Sequence, residues 1–374
     1  MTRIAAVLWS GTVGGAETFT TDLCRTMREF GAEVGIVFVT RSDPLVSRID
    51  AAGIPHVSLG LRRGRDVVRH PRALASAVEK FGSDGSLLPN GGYLAAALRL
   101  GGYGARVVGV IHDASQFWPM TFRDRILRPI DRATGVWATD IDVAVSDFVL
   151  SQINSQARRS RLSRLRPGEK RVIRIHNGVD FDRYKASPET HNEETVVIGY
   201  AGRLIEGKGV DVLIRAFAAG AAREGAQLRI AGDGPTRPML EGLREALSLN
   251  HAVEFTGWTY DISSFWRGCH VAVMPSDRFV ESFGMAAVEA MACARPVVVT
   301  ANGALPELVE DTVTGFVVPP HDVRALGDVL LALARDAATR RAVGTAARMR
   351  CEQRFDIRQC AAAYLDLFEN NRDN

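Results

Sequence analysis

Short apolar runs alternate with stretches of helical period along this chain, and the alternation begins twice. In the first half, residues 4–9 (Ile-Ala-Ala-Val-Leu-Trp) read as a strand, followed by the loop Ser10-Gly-Thr-Val-Gly-Gly15 and a helix over about 16–30. Further strands are predicted at 33–39, 56–58, 106–111, 142–146 and 171–175. Each is a short, mainly apolar run flanked by turn residues or helical pattern, as expected of a parallel sheet covered by helices on both faces. The polar stretch Lys185-Ala-Ser-Pro-Glu-Thr-His-Asn-Glu-Glu194 then interrupts the pattern. It restarts with strands at 195–201, 227–231, 253–255, 270–274, 296–299 and 316–318. The expected fold class is α/β, with doubly wound domains over residues 1–185 and 196–355 and a linker at 186–195. In the last segment, Ile357, Cys360, Ala361, Tyr364, Leu365 and Phe368 form a helical stripe.

A length of 374 residues suits two domains, each with a sizeable core. An apolar fraction of 46% and a charged fraction of 24% are those of an ordinary globular protein. The net charge of +3 points to no particular partner, and 7% aromatics give no sign of a base-stacking surface, so nucleic acid is not expected. The cysteines (Cys24, Cys269, Cys293, Cys351, Cys360) are scattered without a C-x-x-C pair. That spacing is neither a zinc site nor a disulfide framework and fits a reducing cytoplasm. The opening apolar run is shorter than a signal h-region, and no uncharged run reaches membrane-spanning length.

The densest chemistry lies at Glu281-Ser-Phe-Gly-Met-Ala-Ala-Val-Glu289, two carboxylates with seven residues between them. Phe283-Gly284 opens a helix of good formers that continues through Met285 to Cys293. Glu281 then sits in a strand-to-helix loop at the carboxyl edge of the sheet, where ligands bind. Glu289 lies about one and a half turns into the helix. Free N–H groups at the helix start attract anions, and a carboxylate beside them suits hydroxyls. Sugar hydroxyls next to a diphosphate fit both.

The stretch Gly199-Tyr-Ala-Gly-Arg-Leu-Ile-Glu-Gly-Lys-Gly209 also joins a strand to a helix. From Gly202 it reads G-x-x-x-x-G-K-G, one residue short of a P-loop, because Gly209 replaces the Ser or Thr that binds Mg²⁺. Arg203 and Lys208 remain as cations for a diphosphate held without metal; the plain alternative is two solvated charges in a turn. Gly232, in Ala231-Gly-Asp-Gly-Pro235, permits close backbone approach to a ligand, or belongs to an ordinary turn. Gly14 and Gly15 open the first helix without forming G-x-G-x-x-G, yet their N–H groups could meet phosphate or sugar. Glu17 there is equally a dipole-stabilising surface residue. His112-Asp113 ends a strand, and His112 is either a crevice group or a structural histidine.

Taken in order, Gly14-Gly15, His112-Asp113, Asn177-Gly-Val-Asp180, Gly202-Arg-Leu204 with Lys208-Gly209, Ala231-Gly-Asp-Gly-Pro235, the 281–289 motif and Gly303-Ala-Leu-Pro-Glu-Leu-Val-Glu-Asp311 with Gly315 carry a resemblance. The chain resembles retaining glycosyltransferases of family-4 type, which have the GT-B fold. The likeness covers essentially the whole chain and is most specific over residues 199–320. It implies two Rossmann-like domains facing a central cleft, with a nucleotide-sugar on the C-terminal domain, the acceptor on the N-terminal one, and the C-terminal helix of segment 356–374 crossing back onto the N-terminal domain, as its stripe permits. By matching position, Glu289 would bind the ribose, Arg203 and Lys208 the diphosphate, and Glu281 with the backbone at Phe283, Gly284 and Met285 the donor sugar. Gly232 joins this donor-binding set. Gly14 and Gly15 would approach the diphosphate, and His112 the reacting sugar, so that His112 and Glu281 are the candidate catalytic residues.

The expected enzyme is thus a metal-independent, retaining hexosyltransferase with no cofactor. Its co-substrate is a UDP-sugar first and a GDP-sugar second, and its acceptor a hydroxyl on a small molecule, lipid or glycan. The rivals are a nucleotide-sugar epimerase of the same fold, a non-catalytic sugar-nucleotide-binding partner, and a P-loop hydrolase disfavoured by Gly209. Two D-x-D runs, at Asp140 and Asp180, are badly placed for a donor metal. Where relatives often carry a histidine, this chain has Leu87-Leu-Pro-Asn-Gly-Gly92, with Asn90 at that place. The basic stretch 158–171 is a solvated insertion, or a contact with an anionic membrane surface or an anionic acceptor. The expected location is cytoplasmic, with peripheral membrane contact through that stretch as the alternative.

Overall fold

A computed structural model describes residues 1–9, 14–40, 43–62, 64–89, 92–112, 137–159, 171–186, 195–259 and 261–369. The chain divides into two compact units, Met1–Gly178 with Ile357–Asn374, and Val179–Asp356. The first unit holds a seven-stranded sheet in the order β3-β2-β1-β4-β5-β6-β7. Its strands are β1 (Arg3–Leu8), β2 (Glu33–Thr40), β3 (His56–Leu61), β4 (Gly85–Pro89), β5 (Arg106–Ile111), β6 (Ile141–Ala144) and β7 (Arg171–Arg174). The second holds six strands in the order β10-β9-β8-β11-β12-β13. These are β8 (Val197–Ala201), β9 (Gln227–Ala231), β10 (Val253–Gly257), β11 (Val271–Met274), β12 (Val297–Thr300) and β13 (Phe316–Val318).

Neighbouring strands pair in parallel throughout. The all-apolar runs follow from that, because every residue of β8, β11 and β12 is buried. The helix Val210–Ala219 covers the second sheet with Val210, Leu213, Ile214, Ala216 and Phe217, a 3.6-residue stripe. In each sheet the strand order reverses once, between β1 and β4 and between β8 and β11. In open α/β sheets, ligands bind outside the carboxyl ends of the strands at such a switch point.

The helix Ile357–Glu369 belongs to the first unit and buries all six residues of the stripe. Arg358 pairs with Glu29 of the helix Gly15–Glu29 at 3.3 Å. The Thr2 hydroxyl donates to Glu369 at 2.9 Å, and Arg106 donates to the Leu367 carbonyl. Phe368 is 1% exposed, a burial worth about 2–3 kcal/mol of transfer free energy.

The units divide at Gly178–Val179, ahead of the polar stretch at 185–194. The Val179 N–H donates to the Phe355 carbonyl at 2.8 Å. Buried Tyr184 accepts from Arg348 at 2.6 Å, and the Arg183 carbonyl accepts from Ser263 at 2.7 Å. These bonds hold residues 179–184 on the second unit. Residues 187–194, most of the expected linker, lie outside the described residues. All five cysteines are reduced and buried. Among the described residues no helix is long and apolar enough to cross a membrane.

Candidate active site

Two loops meet at the switch point of the second sheet. One follows β8 and runs over 202–209 into the helix Val210–Ala219; the other follows β11 and runs over 275–284 into the helix Met285–Ala292. Their approach depends on Gly209, which has a φ of +67° and whose missing Cβ would lie 1.9 Å from the Pro275 carbonyl oxygen. A serine or threonine there would force the loops apart. The Gly207 carbonyl accepts N–H bonds from Asp277 (2.9 Å), Arg278 (3.2 Å) and Phe279 (2.9 Å). The two loops are thereby fixed to each other before any ligand arrives.

This contact pairs the charges. Lys208 Nζ lies 2.7 Å from Glu281 Oε1, with side chains only 14% and 15% exposed. The Ser276 hydroxyl donates to the same Oε1 at 2.6 Å. Lys208 Nζ also sits 4.0 Å from the Phe279 ring centroid, and the Arg203 guanidinium 5.8 Å from it. Arg203 itself is exposed. Among the described residues, no carboxylate lies within ion-pair distance of it. The Tyr200 hydroxyl donates to the Arg203 carbonyl at 3.1 Å. Burial, then the negative charge of Glu281, pushes the Tyr200 phenol well above its ordinary range, so it remains a neutral donor.

Glu289 is the half-buried fifth residue of the helix Met285–Ala292, which Gly284 caps. At its start the N–H groups of Met285 and Ala286 lack intrahelical acceptors, while those of Ala287 and Val288 donate to the Gly284 carbonyl at 3.0 and 3.3 Å. At its other end Arg348 donates to the Ala292 carbonyl, a cation where the helix dipole is negative. The Ala304 N–H donates to the Glu281 carbonyl at 2.9 Å, which pins the loop from the β12 side. Phe283 is buried and meets Phe355 edge to face at 5.6 Å. Its ring belongs to the core, so only its backbone is available to a ligand.

Gly232 has a structural duty that spacing alone does not reveal. A Cβ there would lie 1.9 Å from the Gly202 carbonyl oxygen, and its N–H donates to Gly257 at 2.7 Å. It locks the loops after β8, β9 and β10 together. Sequence reasoning also missed Ser276, Asp277 and Phe279. Asp277, its side chain 4% exposed, faces His321 Nδ1 at 3.1 Å, and its carbonyl accepts from Asn302 at 2.7 Å. The Pro275-Ser276 pair reads only as a strand terminus, and nothing local marks Phe279.

The remaining candidates lie in the first unit. Gly14 caps and Gly15 begins the helix Gly15–Glu29 after β1, with Glu17 in its first turn. His112 follows β5, and its ring meets buried Phe19 of that helix edge to face at 5.5 Å. The first unit thus brings His112 beside the helix that Gly15 opens. Asn90, Asp113, residues 10–13 and residues 160–170 of the basic stretch lie outside the described residues. The D-x-D carboxylates have local tasks. Asp140 binds Arg99 at 2.6 Å and the Val107 N–H at 2.7 Å. Asp142 accepts from Thr139 at 2.8 Å, and Asp180 accepts from the Asp182 N–H at 2.9 Å.

Comparison with known proteins agrees with this architecture. The model for glycosyl transferases group 1 matches residues 182–350, and that for Glycosyltransferase Family 4 matches residues 13–183. A D-inositol 3-phosphate glycosyltransferase of Xylanimonas cellulosilytica is 28% identical over 96% of this chain and 92% of its own length. The same-named protein of Saccharomonospora viridis is 33% identical over 55% of this chain. The chain spans about half the length of several curated relatives it matches, 47% for the Saccharomonospora protein and 45% for one of Kribbella flavida. Among solved structures, Anabaena HepE in complex with UDP and glucose superposes with a TM-score of 0.82 at 20% identity, covering 99% of this chain and 100% of that one. A sucrose-phosphate synthase from Thermosynechococcus elongatus gives a TM-score of 0.80 at 20% identity, covering 99% of each chain. At such identities the fold is what is shared. The two family models, which between them span residues 13–350, make the chain a family-4-type glycosyltransferase, and the two parallel-sheet units with these structures give it the GT-B fold.

Proposed function

We propose that this protein transfers a sugar from a nucleotide diphosphate sugar to a hydroxyl-bearing acceptor, with retention at the anomeric carbon and without metal. The observation that carries the reading is the Lys208–Glu281 pair at the switch point, with Arg203 in the same loop and Glu289 on the following helix. Cations for a diphosphate and carboxylates for hydroxyls thus sit on adjoining loops. A UDP-sugar is the favoured donor, in keeping with the UDP and UDP-glucose complexes of Anabaena HepE. A GDP-sugar is the second choice.

In this reading Glu289 accepts from the ribose hydroxyls, and Arg203 and Lys208 take the diphosphate. Glu281 orients a hydroxyl of the donor sugar while its second partner, Ser276, keeps the carboxylate in place. The leaving diphosphate gains charge as the glycosidic bond breaks. Preset cations therefore stabilise the transition state more than the ground state. The acceptor proton passes to the departing phosphate oxygen, so no dedicated protein base is invoked. His112 acts on the chemistry rather than on nucleotide affinity. Gly209 supplies no hydroxyl to hold Mg²⁺.

A donor screen tests this. Release of free nucleoside diphosphate is followed across UDP- and GDP-sugars with a panel of hydroxyl acceptors, and the product anomer is read by NMR. Acceptor-dependent release with a retained anomer is expected. Magnesium-dependent hydrolysis of nucleoside triphosphates, with no sugar-nucleotide turnover, would overturn the assignment.

A further inference from the structure

The loop after β11 carries a side chain that neither the motif nor its spacing marks. Phe279 lies two residues before Glu281 and is half-buried. Its ring centroid is 4.0 Å from Lys208 Nζ and 5.8 Å from Arg203 Cζ. Both cations of the β8 loop therefore lie at cation–π range of one ring. The backbone that carries the ring is tied to the same loop, because the Phe279 N–H donates at 2.9 Å to the carbonyl of Gly207, next to Lys208.

Two like charges on one short loop repel, and long side chains must surrender rotamer freedom to meet a ligand. Lys208 has Glu281 as a partner, but Arg203 has no carboxylate within ion-pair distance among the described residues. The negative face of an aromatic ring attracts both heads without neutralising either, as a carboxylate would. The result is an anion site whose cations are already placed when the ligand arrives.

Building on the function proposed above, we propose that Phe279 is a positioning residue for the donor diphosphate, its π face holding Arg203 and Lys208 together in the ligand-free protein. The role belongs to the aromatic face and not to the bulk of the side chain. A leucine or methionine of similar volume keeps the packing and loses the effect; a tyrosine keeps both.

The test compares wild type with Phe279→Leu, Phe279→Met and Phe279→Tyr in the full chain. Calorimetric affinities for UDP and for uridine are read beside melting temperatures and the kcat and KM for the turned-over donor. The Leu and Met variants should bind UDP roughly tenfold more weakly, on the order of two exposed cation–π contacts. Uridine affinity and melting temperature should hold, and the Tyr variant should recover to within about twofold of wild type. Unchanged UDP affinity in Leu or Met, or an equal loss in Tyr, overturns the role of Phe279 while leaving the transferase assignment intact. A wild-type protein that binds neither UDP nor GDP overturns the donor site itself, and this role with it.

Discussion

Neutralising Lys208 and Glu281 separately and together probes the site through stability, independently of any substrate. The two charges are 2.7 Å apart with about 15% of each side chain exposed, and Ser276 supplies the other hydrogen bond to Glu281. Removing one partner of a fully buried pair costs about 3–5 kcal/mol, because a charge is left without compensation. The residual exposure lets water reach the survivor, which brings the expected cost of Lys208→Met or Glu281→Gln to about 2–3 kcal/mol. For a unit of this size that is a fall of about 4–12 °C in the melting temperature of the Val179–Asp356 unit. The double variant strands no charge and should cost less than the two single variants combined, by at least about 1 kcal/mol. Arg203→Ala, which breaks no ion pair among the described residues, serves as the control and should leave the melting temperature unchanged. Calorimetry or urea unfolding reads the cycle. Single costs that sum to the double cost within about 0.5 kcal/mol would refute the coupling, and with it the claim that the two loops are locked through this pair.

Four further outcomes are expected. Glu289→Ala should weaken UDP or UDP-sugar binding by roughly tenfold to a hundredfold, the loss of one or two hydrogen bonds to a charged acceptor; equal dissociation constants would make Glu289 an ordinary helix residue. His112→Ala should lower kcat strongly and leave UDP affinity nearly unchanged, and a variant with normal turnover would return His112 to the role of an edge-to-face partner of Phe19. EDTA should leave activity intact, whereas activity lost on chelation and restored by Mg²⁺ or Mn²⁺ would count against the metal-free diphosphate site. Finally, burial pushes the thiol of Cys269 to about 12 and that of Cys293 to about 11, from an ordinary value of 9.0. The unfolded thiols ionise first, so stability should hold below about pH 9 and decline as pH rises from there toward 12; a melting temperature that stays flat across that window would show the thiols are not shielded.

The fold was legible where a local period carries it. The stripe from Ile357 to Phe368 buries every member because a 3.6-residue period places them on one face. The runs at β8, β11 and β12 read as strands because both faces of a parallel sheet are dry. Charge pairing across the loops was not legible. Lys208 and Glu281 are 73 residues apart, and their contact depends on the approach of Gly209 to Pro275. Phe279 escaped notice for the same reason, since its partners lie on another loop. At Gly232 the sequence leaves a ligand contact and an ordinary turn both open, and its close packing on Gly202 needs tertiary coordinates to see. The unit boundary at Gly178–Val179 is set by long-range hydrogen bonds such as Val179 to Phe355, which leave no mark on composition.

Hydrogen exchange read by mass spectrometry, with and without saturating UDP, tests the central claim most directly. If the switch-point loops hold the nucleotide diphosphate, protection should concentrate in peptides covering 202–209 and 275–289, with the remaining second-unit strands little changed. Protection absent from both segments, while UDP binding is independently measured, would place the nucleotide elsewhere and contradict the account.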